Sequence, residues 1–428
     1  MDFIVPLKIL ILAIFFTSGL ETTISRAPFK PNSLVLPLTK DGATNLHVAY
    51  IRKRNLRVSI PVIVDLNGRF LWVNCSRNYL SSSYNAPICH STQCSKAGVH
   101  YCHKCTWKDF EPGCHNNTCA VIATNPVTQV NGLGELSQDV ISIQSIAPDG
   151  SRVGQYADIP NFLFTCAPSS LLRGPLPRGV AGVAGLSHNQ VSLPIQVATY
   201  FGFQPEFALC LSPYTERKGG IFFGNIPSSV RPKTLVYTPL TISEPGEYFI
   251  PVRSIQVNNK LITFRSTRGR VGFGGALVST TTPYTSLERS IFKSVSESFA
   301  DQLSGVPQVK AVPPFSLCFN ANQMPPTRVG GIPDIDFVMQ NRNVTWKVLG
   351  VDAIVHARPG VDCLAFVDAG MNPRTSVVIG ANQMEGSNFL HFDLTRSRLG
   401  FVHSRFETPV NCTDFKYDSV ELDAMGDD

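Results

Sequence analysis

The chain has 428 residues, 43% of them hydrophobic and 16% charged, with a formal charge of +6 and twelve cysteines. That length is too great for one compact core and suits two lobes. The mild basic excess, with no basic patch interleaved with aromatics, gives no nucleic-acid signature, and no segment beyond the N-terminus is apolar enough to span a bilayer.

In chain order, residues 9–16 form an apolar h-region followed by Thr17, Ser18 and Gly19. They predict a signal peptide over 1–25, cut between Gly19 and Arg26. A membrane anchor is the rival reading, and the run is short for it. Losing Lys8, Asp2 and Glu21 with the leader leaves 36 basic and 29 acidic residues, or +7. Arg52-Lys53-Arg54 with Arg57 is the densest basic run. It reads as a solvated hairpin tip, with weak adhesion to acidic wall polysaccharide as the sharper alternative. Strand patterns rich in Val, Ile and Phe dominate, at 58–64, 139–145, 162–166, 221–224 and 248–257. Helical patterns are few: 193–200, opened by Pro194, and 287–303, with Phe292, Val295, Phe299 and Leu303 on one face.

The cysteines imply an oxidising compartment. Cys89, Cys94, Cys102, Cys105, Cys114 and Cys119 crowd one stretch whose large apolar residues are few, chiefly Tyr79, Tyr84, Trp107 and Phe110. Cys102 and Cys105 form a CxxC, which could hold zinc, but behind a secretory leader disulfides are expected and no metal or cofactor is. Sequence alone cannot pair the six. Sequons stand at Asn74, Asn116, Asn343 and Asn411, the first and last with cysteine at the middle position.

Two segments carry the functional argument. The first is Val64-Asp65-Leu66-Asn67-Gly68, followed by Phe70-Leu71-Trp72-Val73; the second is Ala276-Leu277-Val278-Ser279-Thr280-Thr281-Thr282. Two apolar strands ending in glycine accompany them, Gly182-Val183-Ala184-Gly185 and Val377-Val378-Ile379-Gly380, about 120 and about 100 residues downstream respectively, as in a duplicated lobe. With Phe389-Leu390-His391-Phe392 and Arg398-Leu399-Gly400-Phe401 closing the chain, the pattern resembles the pepsin-type aspartic protease fold over residues 32–415. That resemblance implies a mainly all-β, bilobal fold: an N-terminal lobe over 27–235 carrying the cysteine-rich insertion, and a C-terminal lobe over 236–428.

Within that fold, Asn116-Asn117-Thr118-Cys119, Cys166-Ala167-Pro168-Ser169 and Pro283-Tyr284-Thr285 resemble a plant group of catalytically incomplete members. It comprises extracellular dermal glycoproteins, basic globulins of legume seeds, and inhibitors of xylanases and xyloglucan-specific endoglucanases. The group implies disulfides Cys75–Cys166, Cys210–Cys412 and Cys318–Cys363. It also implies an extracellular, monomeric protein of the apoplast.

An active aspartic protease needs two carboxylates sharing one proton. Here the resemblance puts Asp65 at one position and Ser279 at the other, so both are vestigial and no catalytic residue is assigned. Leu66 stands where a hydroxyl should support the carboxylate, Asn67 and Thr281 stand at glycine positions, and the flap tyrosine is missing. With no like charge beside it, Asp65 is expected to ionise as an ordinary carboxylate.

Three functions remain. The first is a defence inhibitor of a secreted glycoside hydrolase, a xyloglucan endoglucanase or xylanase. The resemblance places Arg328 where a plugging arginine meets the hydrolase carboxylates; a second expected arginine is replaced by Pro409, with Arg405 upstream. The second is a non-catalytic binding or storage protein of basic-globulin type, with a peptide in the vestigial cleft as its partner. The third is an atypical aspartic endopeptidase.

Overall fold

The structure, a computed structural model, describes residues 29–53, 59–75, 79–105, 112–263, 275–326, 330–387, 389–402 and 412–418. The leader, Arg54, Arg57, Trp107, Phe110, Arg328, Arg405 and Asn411 lie outside them. The strand Ser59–Asp65 shows how sequence becomes architecture. Its Val62, Ile63 and Val64 are all fully buried, because it lies inside the sheet with apolar cover on both faces.

One topological device is used twice. In the first half, Gly182–Gly185 runs parallel to Ser59–Asp65 and antiparallel to Trp72–Asn74, passing between them. In the second, Val377–Ile379 runs parallel to Ala276–Val278 and antiparallel to Thr285–Leu287. Each middle strand threads a ψ-shaped loop, and each ends in a glycine that the crossing requires. A Cβ on Gly185 would overlap the Gly68 carbonyl oxygen, and one on Gly380 would overlap the Tyr284 backbone.

The result is the mainly β, bilobal pepsin-like architecture. The largest sheet has 14 strands, with further sheets of six, four and four among the described residues. Chain order does not separate the halves. Leu390–Asp393 pairs with Glu206–Cys210, and Arg398–Phe401 pairs with Val236–Pro239, so strands from the end of the chain complete the sheet of the first half. Phe207 and Phe392 stack across that junction with ring centroids 4.6 Å apart, and Tyr248 packs against Phe392. Shared aromatic burial therefore stabilises the junction beyond its backbone bonds.

The predicted helices form as Leu193–Phe201 and Arg289–Gln302. The first opens on Pro194 and stops at Gly202, whose φ of 74° suits glycine. The second buries Ile291, Phe292, Val295 and Phe299 on one face, and the Glu288 side chain accepts from the Ser290 amide at its start. The pattern at 248–257 divides into Tyr248–Ile250 and Val252–Val257, which join different sheets.

The cysteine-rich stretch is closed by Cys89–Cys102, Cys94–Cys119 and Cys105–Cys114. Cys75–Cys166 and Cys318–Cys363 tie strands elsewhere, Cys210 is also disulfide-bonded, and no described cysteine is free. Cys102 and Cys105 belong to different bridges. The grouping Cys89, His90 and Cys102 offers no thiolate, because both sulfurs share one disulfide.

Two buried carboxylates on the strand Asn131–Ile146 organise this stretch where apolar area is scarce. Glu135, fully buried, accepts from Tyr84 Oη at 2.8 Å, Thr118 Oγ1 at 2.7 Å and the backbone amides of Gly113 and His115 at 3.0 and 2.9 Å. Asp139 accepts from Tyr79 Oη, Ser81 Oγ, Ser83 Oγ and the Val140 amide. Such charge-assisted bonds substitute for hydrophobic burial. Glu135→Ala takes the shared acceptor from these four donors and from His115 Nδ1, 3.0 Å away, at once and is expected to cost at least about 3 kcal/mol. Urea denaturation with limited proteolysis should show the loss, with cleavage concentrated between residues 79 and 119.

Candidate functional site

The two ψ loops present Asp65 and Ser279 to one cleft of about 610 Å³, lined also by Asn67, Thr281, Thr282, Glu247 and Arg374. Asp65 closes the strand Ser59–Asp65, and its carbonyl accepts from the amides of Gly68 and Leu186. Ser279 follows Ala276–Val278, and its amide donates to the Ile379 carbonyl. Backbone geometry therefore brings Asp65 and Ser279 to the same cleft.

The loops are clasped across the junction by side chains. Thr280 Oγ1 donates to the Val64 carbonyl at 2.7 Å and accepts from the Leu66 amide at 3.1 Å. The reciprocal hydroxyl is absent, because Leu66 is apolar and fully buried. Its work passes to the next residue: Asn67 Nδ2 donates to the Val278 carbonyl at 2.9 Å, the counterpart of Val64 in the other loop. Asn67 Oδ1 also accepts from the Tyr248 amide at 3.2 Å. By the resemblance Asn67 stands at a glycine position. The structure shows it as the second half of the clasp, which only the cross-lobe approach could reveal.

In place of a second carboxylate the cleft holds a hydroxyl group cluster. Thr282 Oγ1 donates to Ser279 Oγ at 3.0 Å, and Thr281 Oγ1 lies 3.3 Å from the same oxygen. Three hydroxyls can share hydrogen bonds but cannot exchange the proton that a carboxylate dyad holds. A hairpin formed by Thr118–Thr124 and Asn131–Ile146 overhangs the cleft, to which Ile122, Thr124 and Gln129 contribute. No tyrosine comes from it. Trp72 Nε1 donates instead to the Thr124 carbonyl at 3.1 Å.

Asp65 does not behave as the sequence led one to expect. Its pKa is pushed up to about 6, first by burial and further by the charge of Glu247, while the Asn67 and Gly68 amides oppose the rise. Burial does what the lost partner no longer does, since only 7% of Asp65 is exposed. Glu247 is itself held by Arg374, whose Nη1 and Nη2 reach its two oxygens at 3.0 and 2.5 Å. This ion pair went unnoticed in the sequence, since its members are 127 residues apart and neither sits in a motif.

The other expected site residues are scattered. Asn116 and Asn343 are exposed, whereas Asn74 is half-buried in a strand with its amide bonded to the Ala181 carbonyl. Arg52 lies over the Tyr156 ring at 4.3 Å rather than standing free in solvent. Arg328 and Arg405, expected at a partner interface, fall outside the described residues.

A folded-state pKa above the unfolded value means that Asp65 favours the native state below about pH 4 and loses that contribution as pH rises through about 6. Asp65→Asn is therefore expected to stabilise the protein at pH 7 by about 3 kcal/mol. The gain should vanish by about pH 4. Chemical denaturation at the two pH values checks both the sign and the window.

Comparison with known proteins agrees with this geometry. Two family models match, Xylanase inhibitor N-terminal over residues 47–225 and Xylanase inhibitor C-terminal over 247–403. Gamma conglutin 1 of Prunus dulcis is 46% identical over 411 residues, covering 94% of each chain. The crystal structure of Basic 7S globulin from soybean superposes with a TM-score of 0.81 at 42% identity, over 91% of this chain and all of that one. The crystal structure of edgp gives 0.84 at 40% identity, over 92% of this chain and all of that one. The protein is secreted and lacks aspartic protease activity. It belongs to the xylanase-inhibitor, basic-7S-globulin and gamma-conglutin group of pepsin-fold proteins.

Proposed function

We propose that this chain is a non-catalytic binding or storage protein of the apoplast, of basic-globulin type. The observation that carries the reading is the cleft itself. It has a volume of about 610 Å³ and a hairpin roof, and its lining combines one buried carboxylate with the hydroxyls of Ser279, Thr281 and Thr282. Such a site can recognise a ligand through hydrogen bonds and one charge, yet it cannot activate water by proton sharing. The similarity to gamma conglutin and basic 7S globulin supports the same conclusion.

The mature protein is expected not to cleave denatured haemoglobin between about pH 3 and 5, where a carboxylate dyad works. Ser279→Asp alone is expected to remain inactive. Leu66 and Asn67 hold the first loop differently from an active site, and small misplacements cost orders of magnitude in rate. Acid proteolysis by the parent, abolished in Asp65→Asn, would overturn the reading in favour of an atypical endopeptidase.

Inhibition of a secreted glycoside hydrolase is the second reading, favoured by the two matching xylanase-inhibitor families. Its residue-level form is an arginine plug at Arg328, between Pro325-Pro326 and Gly330. The test begins with capture of hydrolases from fungal culture filtrate. For any hydrolase so recovered, Arg328→Ala is expected to weaken the complex by at least about 2 kcal/mol, and Arg328→Lys to restore only part of it. Unchanged binding kinetics in Arg328→Ala would remove that mechanism.

A further inference from the structure

Resting on the binding reading, we infer that the cleft is a site for an organic cation, a primary ammonium or guanidinium group seated against Asp65. The carboxylate lines the cleft, is more than nine-tenths buried, and pairs with no cation among the described residues. Two arginines also line the cleft, but each is engaged elsewhere. Arg374 spends both terminal nitrogens on Glu247, and Arg69 Nη2 donates to the Ala97 carbonyl at 3.3 Å. Asp65, Arg69, Glu247 and Arg374 are the ionisable groups among the cleft-lining residues. Of the three neighbours, Glu247 is the one whose charge acts on Asp65, and it is of the same sign. The position beside Asp65 therefore has a negative potential that the Asn67 and Gly68 amides offset in part and no described cation pairs with.

The remaining lining suits the rest of such a ligand. An ammonium has three donors and no acceptor. Asp65 supplies one acceptor, and the hydroxyls of Ser279 and Thr281 supply others beside it. An aliphatic stem needs apolar walls, and Leu277, Ile122 and Pro245 line the same space. An anion would meet the Asp65 charge. A neutral group would leave that charge buried and uncompensated, which is costly. The cation can come from a lysine or arginine side chain of an extended peptide or from a free diamine.

Calorimetric titration of the whole mature protein separates these sources. The probes are a blocked pentapeptide with a central lysine, the same peptide with norleucine in its place, and putrescine, each at pH 7.5 and 4.5. Binding of the lysine peptide at least tenfold tighter than its norleucine analogue supports a peptide source; binding of putrescine alone supports a free amine. In either case affinity should fall about thirtyfold from pH 7.5 to 4.5, as Asp65 takes up its proton below about 6. Asp65→Asn, checked by its thermal transition, should weaken the cation at least tenfold at pH 7.5 and remove the pH dependence. Equal measurable binding of the lysine and norleucine peptides, no heat from either the lysine peptide or putrescine, or unaltered cation binding by Asp65→Asn overturns the inference. The norleucine comparison needs no variant and stands even if Asp65→Asn misfolds. Mass spectrometry of the titrated peptide keeps the two levels apart. A cleaved peptide overturns the non-catalytic reading beneath the inference, whereas an intact peptide that does not bind, with no binding of putrescine either, overturns the inference alone.

Discussion

The contact on which the rest depends is the clasp between the two ψ loops. Thr280 reaches into the first half to bond both Val64 and Leu66, and Asn67 reaches into the second to bond Val278. Every one of these bonds involves a backbone group at the tip of a buried strand, where an unmet donor or acceptor is expensive. A fully reciprocal pair of hydroxyls is one way to satisfy those groups. This chain uses one hydroxyl and one carboxamide. The substitution at Leu66 is thereby tolerated, and the junction survives the loss of the chemistry for which such junctions serve in a protease.

That survival explains the state of the cleft. A structure that needs its ψ loops for cohesion retains Asp65 at the end of a central strand, with its carbonyl and side chain both bonded to local amides. The carboxylate is left in a place built for a pair. Without a partner to share a proton it is raised by burial instead, and Glu247, restrained by Arg374, adds to the effect. The electrostatic frustration is local and is relieved only in part, by the Asn67 and Gly68 amides, within the described residues. A ligand is one means of relieving it, and this connects the structural history of the site with recognition rather than catalysis.

The cysteine-rich stretch solves a different problem. A segment with few large apolar residues cannot hold itself by burial. Three bridges shorten its unfolded excursions, and Glu135 and Asp139 fix it to a long strand through donors that the stretch supplies. The same strand forms the returning arm of the hairpin above the cleft, so the anchoring of the stretch also steadies the roof of the site.

The sequence by itself determined the fold class, both ψ strands, the two longer helices and the pairing of Asp65 with Ser279 across one site. Those features were legible through a family resemblance carried by local patterns: continuous apolar runs in strands buried on both faces, and glycines where two backbones cross without room for a Cβ. The bridges within the cysteine cluster, the Glu247–Arg374 pair, the role of Asn67 and the raised pKa of Asp65 were decided only by tertiary structure. Each depends on groups brought together from distant parts of the chain, or on how much water the folded walls exclude. Burial in particular has no sequence signature at a single aspartate. The same Val-Asp-Leu-Asn segment in an open loop would carry an ordinary carboxylate; enclosed between two ψ loops, it carries one that holds its proton up to about pH 6.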